Sequence, residues 1–286
     1  PGPPAVTAEP ARVSDSPDDL LRLALGIAER AAGLITEGRR RGLSEVQTKS
    51  SATDMVTEYD RLSEQLIVEG LRNARPDDGI VGEEGANTAG TSGIDWLVDP
   101  IDGTTNFLYG LAGYAVSIAA RDPEGGLVGV VAVPATGEFF TARRGAGAHC
   151  NGSPIRCSDA SELSRALVAT GFSYSPARRR LQGARVAALI DRVRDIRRIG
   201  AAAPDLCYAA SGRVDAYFEE FLNPWDLAAG EVIAREAGCV VGSLDSGPVT
   251  PESVLVAAPA VFGPLRDLIA AIDAELRAGA GPGAEA

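Results

Sequence analysis

Apolar positions recur along the chain with two different periods. In SPDDLLRLALGIAERAAGLITEG, Leu20, Ala24, Ile27, Ala31 and Leu34 fall at helical spacing. Ser16 can cap that helix, Pro17 suits its first position, and Asp18 and Asp19 favour its positive end. EYDRLSEQLIVEGLRNARP predicts a second amphipathic helix with Leu62, Leu66, Ile67 and Leu71 on the inner side, ended by Pro76. KSSATDMVT, between them, reads as a polar loop with a short strand. Shorter apolar runs then follow, punctuated by Gly and Pro: GIVGE, DWLVD, YAVSIAAR, LVGVVAVP and EFFTAR, each read as a strand.

The texture changes near Ser158. ALVATGF reads as a strand, 176–194 as a basic helix, AAAPDLCYAASG as a small-residue helix and VDAYFE as a strand. WDLAAGEVIAREAG predicts a helix, CVVG and SVLVAAP two strands, and 261–277 a last helix. The expected fold is therefore α/β: two helices over a mixed or antiparallel sheet in residues 16–157, then an α/β half in 158–278. Residues 1–15 and 279–286, rich in Pro, Ala and Gly, read as tails.

Composition narrows the chemistry. The 286 residues are 45% hydrophobic, enough for a sizeable core, and only 5% aromatic, so that core is aliphatic. A net charge of −12 argues against nucleic-acid binding, which needs a basic footprint. No run is long and apolar enough to span a membrane. Cys150, Cys157, Cys207 and Cys239 form no CxxC pair and read as reduced cytosolic thiols. A lone His149, in the glycine-rich RRGAGAH, removes multi-histidine zinc sites and reads as a solvent-facing residue. Any metal would sit on carboxylates, which select hard cations such as Mg²⁺ or Mn²⁺.

The carboxylates are patterned. WLVDPIDGTTNF ends an apolar strand on Asp99 and Asp102, with Pro100 expected to stop the strand. Like charges at a strand end repel unless a cation lies between them. Asp102 also suits a helix cap. Gly103 lets a ligand approach the backbone, and the following helix start, with the Thr104 hydroxyl, offers a phosphate cradle. GIVGEEG ends in Glu83 and Glu84, and NPWDLAAGEVI puts Asp226 at a helix start followed by small Ala228, Ala229 and Gly230. Each fragment has a plain reading as a solvated acid or a cap. Together they bring carboxylates for cations and amides for an anion, the pairing that metal-assisted phosphoryl transfer requires.

Over about residues 20–277 the chain resembles the inositol monophosphatase family of Mg²⁺-dependent, lithium-sensitive sugar-phosphate phosphatases. WLVDPIDGTTNF and WDLAAG match the family's two signatures, and GEE and DMVTEYD match as well. The resemblance implies a layered αβαβα sandwich. It implies that Glu83, Asp99 and the Ile101 carbonyl hold a first metal and that Asp99, Asp102 and Asp226 hold a second, with a third, weaker Mg²⁺ near Glu83. Phosphate would rest on Asp102, Gly103 and Thr104. Thr104 and Glu83 would orient and deprotonate the attacking water, Asp60 would support Thr104, and Lys49 would close over the site from a loop. Ala202 and Glu219, with Asp226, would grip the sugar. Family members are commonly homodimers.

The implied substrate is an inositol phosphate, with fructose 1,6-bisphosphate and histidinol phosphate as alternatives. GAAAPDL carries Ala201 where the family usually has Ser or Thr, and Pro204 is uncommon there, which bears on substrate preference. The basic run with Arg178, Arg179, Arg180 and Arg185 reads as a solvated face. Its other reading is the non-enzyme alternative, a regulatory, transcription-associated partner protein.

Overall fold

The computed structural model describes residues 14–41, 46–48 and 55–279. Lys49, Asp54 and most of both expected tails lie outside the described residues. The first helix, α1 (Pro17–Arg41), buries Leu20, Ala24, Ile27 and Ala31 of the expected stripe together with Ala28, Ala32 and Ile35, while Leu34 is only partly buried. Two short strands, β1 (Val46–Thr48) and β2 (Met55–Thr57), pair antiparallel and lead into α2 (Glu58–Ala74).

The inner face of α2 departs from expectation. Leu62 is 45% exposed, whereas Asp60, Ser63 and Glu64 are buried beside Ile67, Val68 and Leu71. The reason is that this face meets backbone as well as apolar side chains. Ser63 Oγ donates to the Pro100 carbonyl at 3.1 Å, and Glu64 accepts the amides of Glu84 (2.7 Å) and Ala86 (3.1 Å). A polar residue satisfied in this way is retained inside at little cost.

Eight strands form the larger sheet. In chain order they are β3 (Gly79–Gly82), β4 (Asn87–Thr88), β5 (Asp95–Asp102), β6 (Ala115–Asp122), β7 (Gly125–Val133), β8 (Glu138–Arg143), β9 (Ala148–Cys150) and β10 (Ser153–Ile155). Their spatial order is β10-β9-β8-β7-β6-β5-β3-β4, antiparallel throughout except for the parallel β3–β5 pair. A six-residue helix, α3 (Thr104–Tyr109), follows β5. Strand alternation distributes the aliphatic residues to both faces. Val116, Ile118 and Ala120 of β6 join the core under α1 and α2, while Ala115 and Ala119 join a second core on the opposite face.

That second core is shared with α5 (Ala202–Ala210) and α6 (Pro224–Glu236). Beyond them lies a five-stranded sheet, ordered β12-β11-β13-β15-β14 and mixed in direction. Its strands are β11 (Leu167–Thr170), β12 (Asp195–Arg197), β13 (Ala216–Glu219), β14 (Val240–Gly242) and β15 (Val254–Ala257). Its outer face is covered by α4 (Pro176–Leu189) and α7 (Pro259–Gly279), which close a third core around Val168, Phe218 and Leu255. The layers thus run α, β, α, β, α.

The basic helix was expected to reach Arg194 but ends at Leu189. Leu189 is fully buried, and the chain then turns so that Asp195–Arg197 adds an edge strand parallel to β11. Asn106 ties the two sheets' connections together: its Nδ2 donates to the carbonyls of Gly113 and, at 2.9 Å, Ile199.

Candidate active site

Pro100 does not stop β5; the strand continues to Asp102 with a register shift against β6 between Asp99 and Asp102. A bulge is where a strand tolerates a proline, which has no N–H to donate. Its effect is decisive. Residues three apart on a regular strand face opposite sides. Trp96 and Val98 point into the core beneath α1 and α2, so Asp99 points the other way, towards α6. The bulge then turns Ile101 into that same helix-covered core and lets Asp102 join Asp99 on the α6 side. One oxygen of Asp99 accepts the Ile101 amide at 3.0 Å, which fixes the kink.

Gly103 follows with φ of 85°, in the left-handed region that glycine adopts without cost. A Cβ there would lie 2.7 Å from the Gly113 carbonyl oxygen and 2.9 Å from the Ala201 Cβ, so only glycine fits. Thr104 opens α3, and its hydroxyl lies 3.1 Å from both Asp60 Oδ1 and the Ile101 carbonyl. Asp60 is the third helical residue of α2 and forms a capping box with Thr57: its Oδ2 accepts the Thr57 amide at 2.8 Å. Asp226 holds the same position in α6, accepting the Asn223 amide at 2.7 Å.

These elements converge on one cavity of about 720 Å³. Glu83, Asp99, Asp102, Thr104, Glu219 and Asp226 line it, as do Ile101, Gly103 and Ala202. Asp60 lies behind Thr104 rather than in the lining. Helix α5 starts at the cavity floor, where the Ala203 amide donates to Asp102 at 2.6 Å. At the end of β13, Glu219 accepts the Tyr217 hydroxyl at 2.7 Å.

Electrostatics follow from this crowding. Burial raises the Asp99 carboxyl well above the ordinary range, and the negative charges of Glu83, Asp102 and Asp226 add to the rise. Asp102 is raised for the same reasons, burial first and then Asp226, against the Ala203 amide. Burial lifts Asp60 to about 6, opposed by its Thr57 bonds, and Glu219 to about 7, opposed by the Tyr217 hydroxyl and Arg198. Asp205, on the first turn of α5, is fully buried and raised by burial and then by Glu219 and Asp102.

The donor set fits a hard divalent cation. It is all oxygen, four carboxylates and the Ile101 carbonyl, and the charges pushing Asp99 upward are like charges that a cation would offset. Among the described residues no group of three or more Asp, Glu, His or Cys side chains is arranged to hold a metal ion as it stands; the carboxylates are spread along the cavity lining.

Part of the lining was not foreseen: Phe172 and Tyr174, Arg178 at the start of α4, Arg198 before α5 and Phe221 after β13. Only Arg178 stood out in the sequence, as part of a charge run. Arg185, from the same run, is not a solvated or anion-seeking residue. It is buried between Asp273, at 2.7 and 2.8 Å, and Glu220. His149 is half-buried on β9 and is not among the residues that line the cavity. All four cysteines are free thiols.

The inositol monophosphatase family model matches residues 16–277. Inositol-1-monophosphatase of Mycobacterium leprae is 41% identical over 263 residues, 85% of this chain and 90% of that protein. The Nus factor SuhB of Pasteurella multocida is 41% identical across 85% of this chain and 92% of its own. Among solved structures, Mycobacterium tuberculosis SuhB superposes with a TM-score of 0.78 at 38% identity, covering 91% of this chain and 98% of that one. The extragenic suppressor protein suhB from Bartonella henselae reaches a TM-score of 0.83 at 33% identity, over 87% of this chain and 98% of that one.

Proposed function

Because this chain belongs to the inositol monophosphatase family, a family of metal-dependent phosphoric monoester hydrolases, we propose that it hydrolyses inositol 1-phosphate in this cavity. One observation carries the reading: Glu83, Asp99, Asp102 and Asp226 line the same cavity as the Gly103–Thr104 turn. Bound Mg²⁺, in two or three ions, supplies positive charge for the phosphoryl oxygens and a more acidic water. Glu83, Asp99 and the Ile101 carbonyl would hold one ion, and Asp99, Asp102 and Asp226 another.

The remaining work falls to the chain itself. The phosphate rests against Asp102, Gly103 and Thr104 at the start of α3. Thr104, held by Asp60, and Glu83 orient the attacking water and take its proton. Ala202 and Glu219, with Asp226, bound the alcohol; the Tyr217 hydroxyl leaves Glu219 oriented to accept hydroxyl hydrogens. Lys49 is assigned its loop role, and the chain a homodimer, on the resemblance alone; a cytoplasmic location rests on the unpaired spacing of the cysteines, and a division near residue 157 on the change of pattern along the sequence. No helix among the described residues is long and apolar enough to cross a membrane.

The test is phosphate release from inositol 1-phosphate, fructose 1,6-bisphosphate and histidinol phosphate, with and without Mg²⁺ and then with Li⁺. Activity should require Mg²⁺, and Asp99→Asn should abolish it while raising the melting temperature in EDTA, since one repelling buried charge is gone. Wild-type turnover by Asp99→Asn would sink the assignment. An inactive wild type would favour the regulatory-partner alternative.

A further inference from the structure

Two of the four thiols that share no motif in the sequence meet in space. Cys157 follows β10, the edge strand of the larger sheet, and Cys239 stands between α6 and β14, the edge strand of the smaller one. The Cys157 amide donates to the carbonyl of Ala237, the residue that caps α6, at 3.0 Å. The Cys239 amide closes the same helix end on the Ala234 carbonyl, also at 3.0 Å. Between Ala237 and Cys239, Gly238 has φ of 87°, a left-handed turn that doubles the chain back. A Cβ on Gly238 would lie 3.8 Å from Cys157 Sγ. In this turn the Cys239 S–H donates to the Cys157 sulfur.

Such a contact is not what packing alone produces at the other thiols. Cys150 Sγ faces Glu138 at 3.9 Å, and Cys207 is sealed in the core. For Cys157 and Cys239, tied backbones and touching sulfurs leave only side-chain rotation between a dithiol and a disulfide. The two sulfurs also differ in access. Cys157 is half-buried, whereas Cys239 is 8% exposed. Burial, and then the neighbouring Cys157, hold the Cys239 thiol above its ordinary pKa. Cys157 is therefore the sulfur that a small molecule meets first, and Cys239 the one that resolves the product.

We infer that Cys157 and Cys239 form a redox modification site, which exchanges with small-molecule disulfides and closes into an intramolecular disulfide joining the edges of the two sheets. With oxidised glutathione the Cys157 thiolate attacks one sulfur, the glutathione S–S bond breaks, and one glutathione thiolate leaves. The Cys239 thiolate then attacks the Cys157 sulfur of that mixed disulfide and displaces the second glutathione. Two protein thiols are oxidised to one disulfide, one glutathione disulfide is reduced to two thiols, and the two protein protons end on those thiols. Neither cysteine lines the cavity, so the bond acts on stability, and the inference stands apart from what the cavity hydrolyses.

The test incubates the folded full-length chain with excess oxidised glutathione in mildly alkaline buffer, alkylates the remaining thiols in denaturant and maps the peptides without reduction. A linked pair of peptides carrying Cys157 and Cys239 should appear, Cys150 and Cys207 should be alkylated, and no glutathione should stay on either linked cysteine. The closed form should melt roughly 3–7 °C above the reduced form, because the bond closes a long loop in the unfolded chain, and dithiothreitol should reverse the shift. Cys239→Ser should stop at a glutathione adduct on Cys157, and Cys157→Ser should leave Cys239 unmodified. Four alkylated cysteines after oxidation, a lasting glutathione adduct on Cys157 of the wild type, or a link to Cys150 or Cys207 overturns the inference. A linked pair with an unchanged or lower melting temperature overturns its role in joining the sheets. Should either serine variant fail to fold, the wild-type peptide map and melting shift decide.

Discussion

Helix α6 lies on the large sheet with almost nothing between the two backbones, and Gly129→Ala measures what that closeness does. Gly129 sits on β7, where an added Cβ would come 2.5 Å from the Ala229 carbonyl oxygen and 3.1 Å from the Ala229 carbonyl carbon and Cα. These are backbone atoms, so no rotamer change relieves the clash. Ordinary contact begins near 3.4 Å, so α6 must retreat by about 0.9 Å. Retreat is opposed on the far side, where a Cβ on Gly230 would meet Leu206 of α5 at 2.4 Å, showing how tightly α6 is held between layers. Overpacking of this kind costs about 1–3 kcal/mol, which in a chain of this size lowers the melting temperature by roughly 2–5 °C.

Asp226 stands one helical turn before Gly230, so the same displacement moves a carboxylate of the cavity. A shift of about 1 Å in a positioned group is worth roughly a hundredfold in rate. The assay is paired: thermal denaturation and kcat/KM for inositol 1-phosphate with saturating Mg²⁺. Gly33→Ala is the comparison, because Gly33 lies on α1 with nothing within 4 Å of its added Cβ. That variant should gain about 0.5–1 kcal/mol from helix propensity at unchanged activity. If Gly129→Ala melts lower but turns over normally, α6 does not set the position of Asp226 and the reasoning fails. If its melting temperature does not move, the close approach itself is refuted.

Two further outcomes follow from the charges. Asp60 (about 6), Glu219 (about 7), Asp99 and Asp102 all have folded-state pKa values above those of the unfolded chain, so the folded state binds more protons in that window. Stability in EDTA should therefore fall as pH rises from about 5.5 to about 7.5, and Mg²⁺ should recover more at the higher pH; melting curves with the opposite slope would contradict the crowding of acids described here. Arg185→Met strips the partner from Glu220 and Asp273 and should destabilise by about 3–5 kcal/mol in urea titration, whereas Arg185→Met with Glu220→Gln and Asp273→Leu should regain most of it.

Much of the fold was legible because its period is carried by side chains. The α1 stripe and the two-faced aliphatic strands β6 and β7 follow directly from spacing. Where expectation failed, backbone was the missing partner. Leu62 seemed an inner residue of α2 because apolar spacing ignores Ser63 and Glu64, whose inward position is decided by the Pro100 carbonyl and the Glu84 and Ala86 amides. Strand β12 is three residues long and exists by pairing with β11, which no local pattern announces. The acidic part of the lining was legible because it lies at strand ends and helix starts that carry a motif. The part made by Phe172, Tyr174, Arg198 and Phe221 is assembled from separate loops with no shared period, so only the fold brings it together.

The carboxylates also show that a structural role and a functional one need not compete. Asp99 and Asp102, three apart, share a face only because Pro100 and the bulge break the strand's alternation. A regular strand would have sent one of them into the core under α1 and α2. Asp60 and Asp226 each close a capping box, which fixes their side chains through the Thr57 and Asn223 amides. The helix caps are Thr57, Asn223 and, after Asp102, Gly103, so the cap reading of Asp102 and Asp226 fails. Asp60 and Asp226 are the third residues of their helices, and the bond back to the cap amide is what aims them. Asp60 uses one oxygen for its own helix and the other for Thr104. The helix start supplies an orientation that solvent could not, in a place where repulsion among buried acids would otherwise drive the side chains apart.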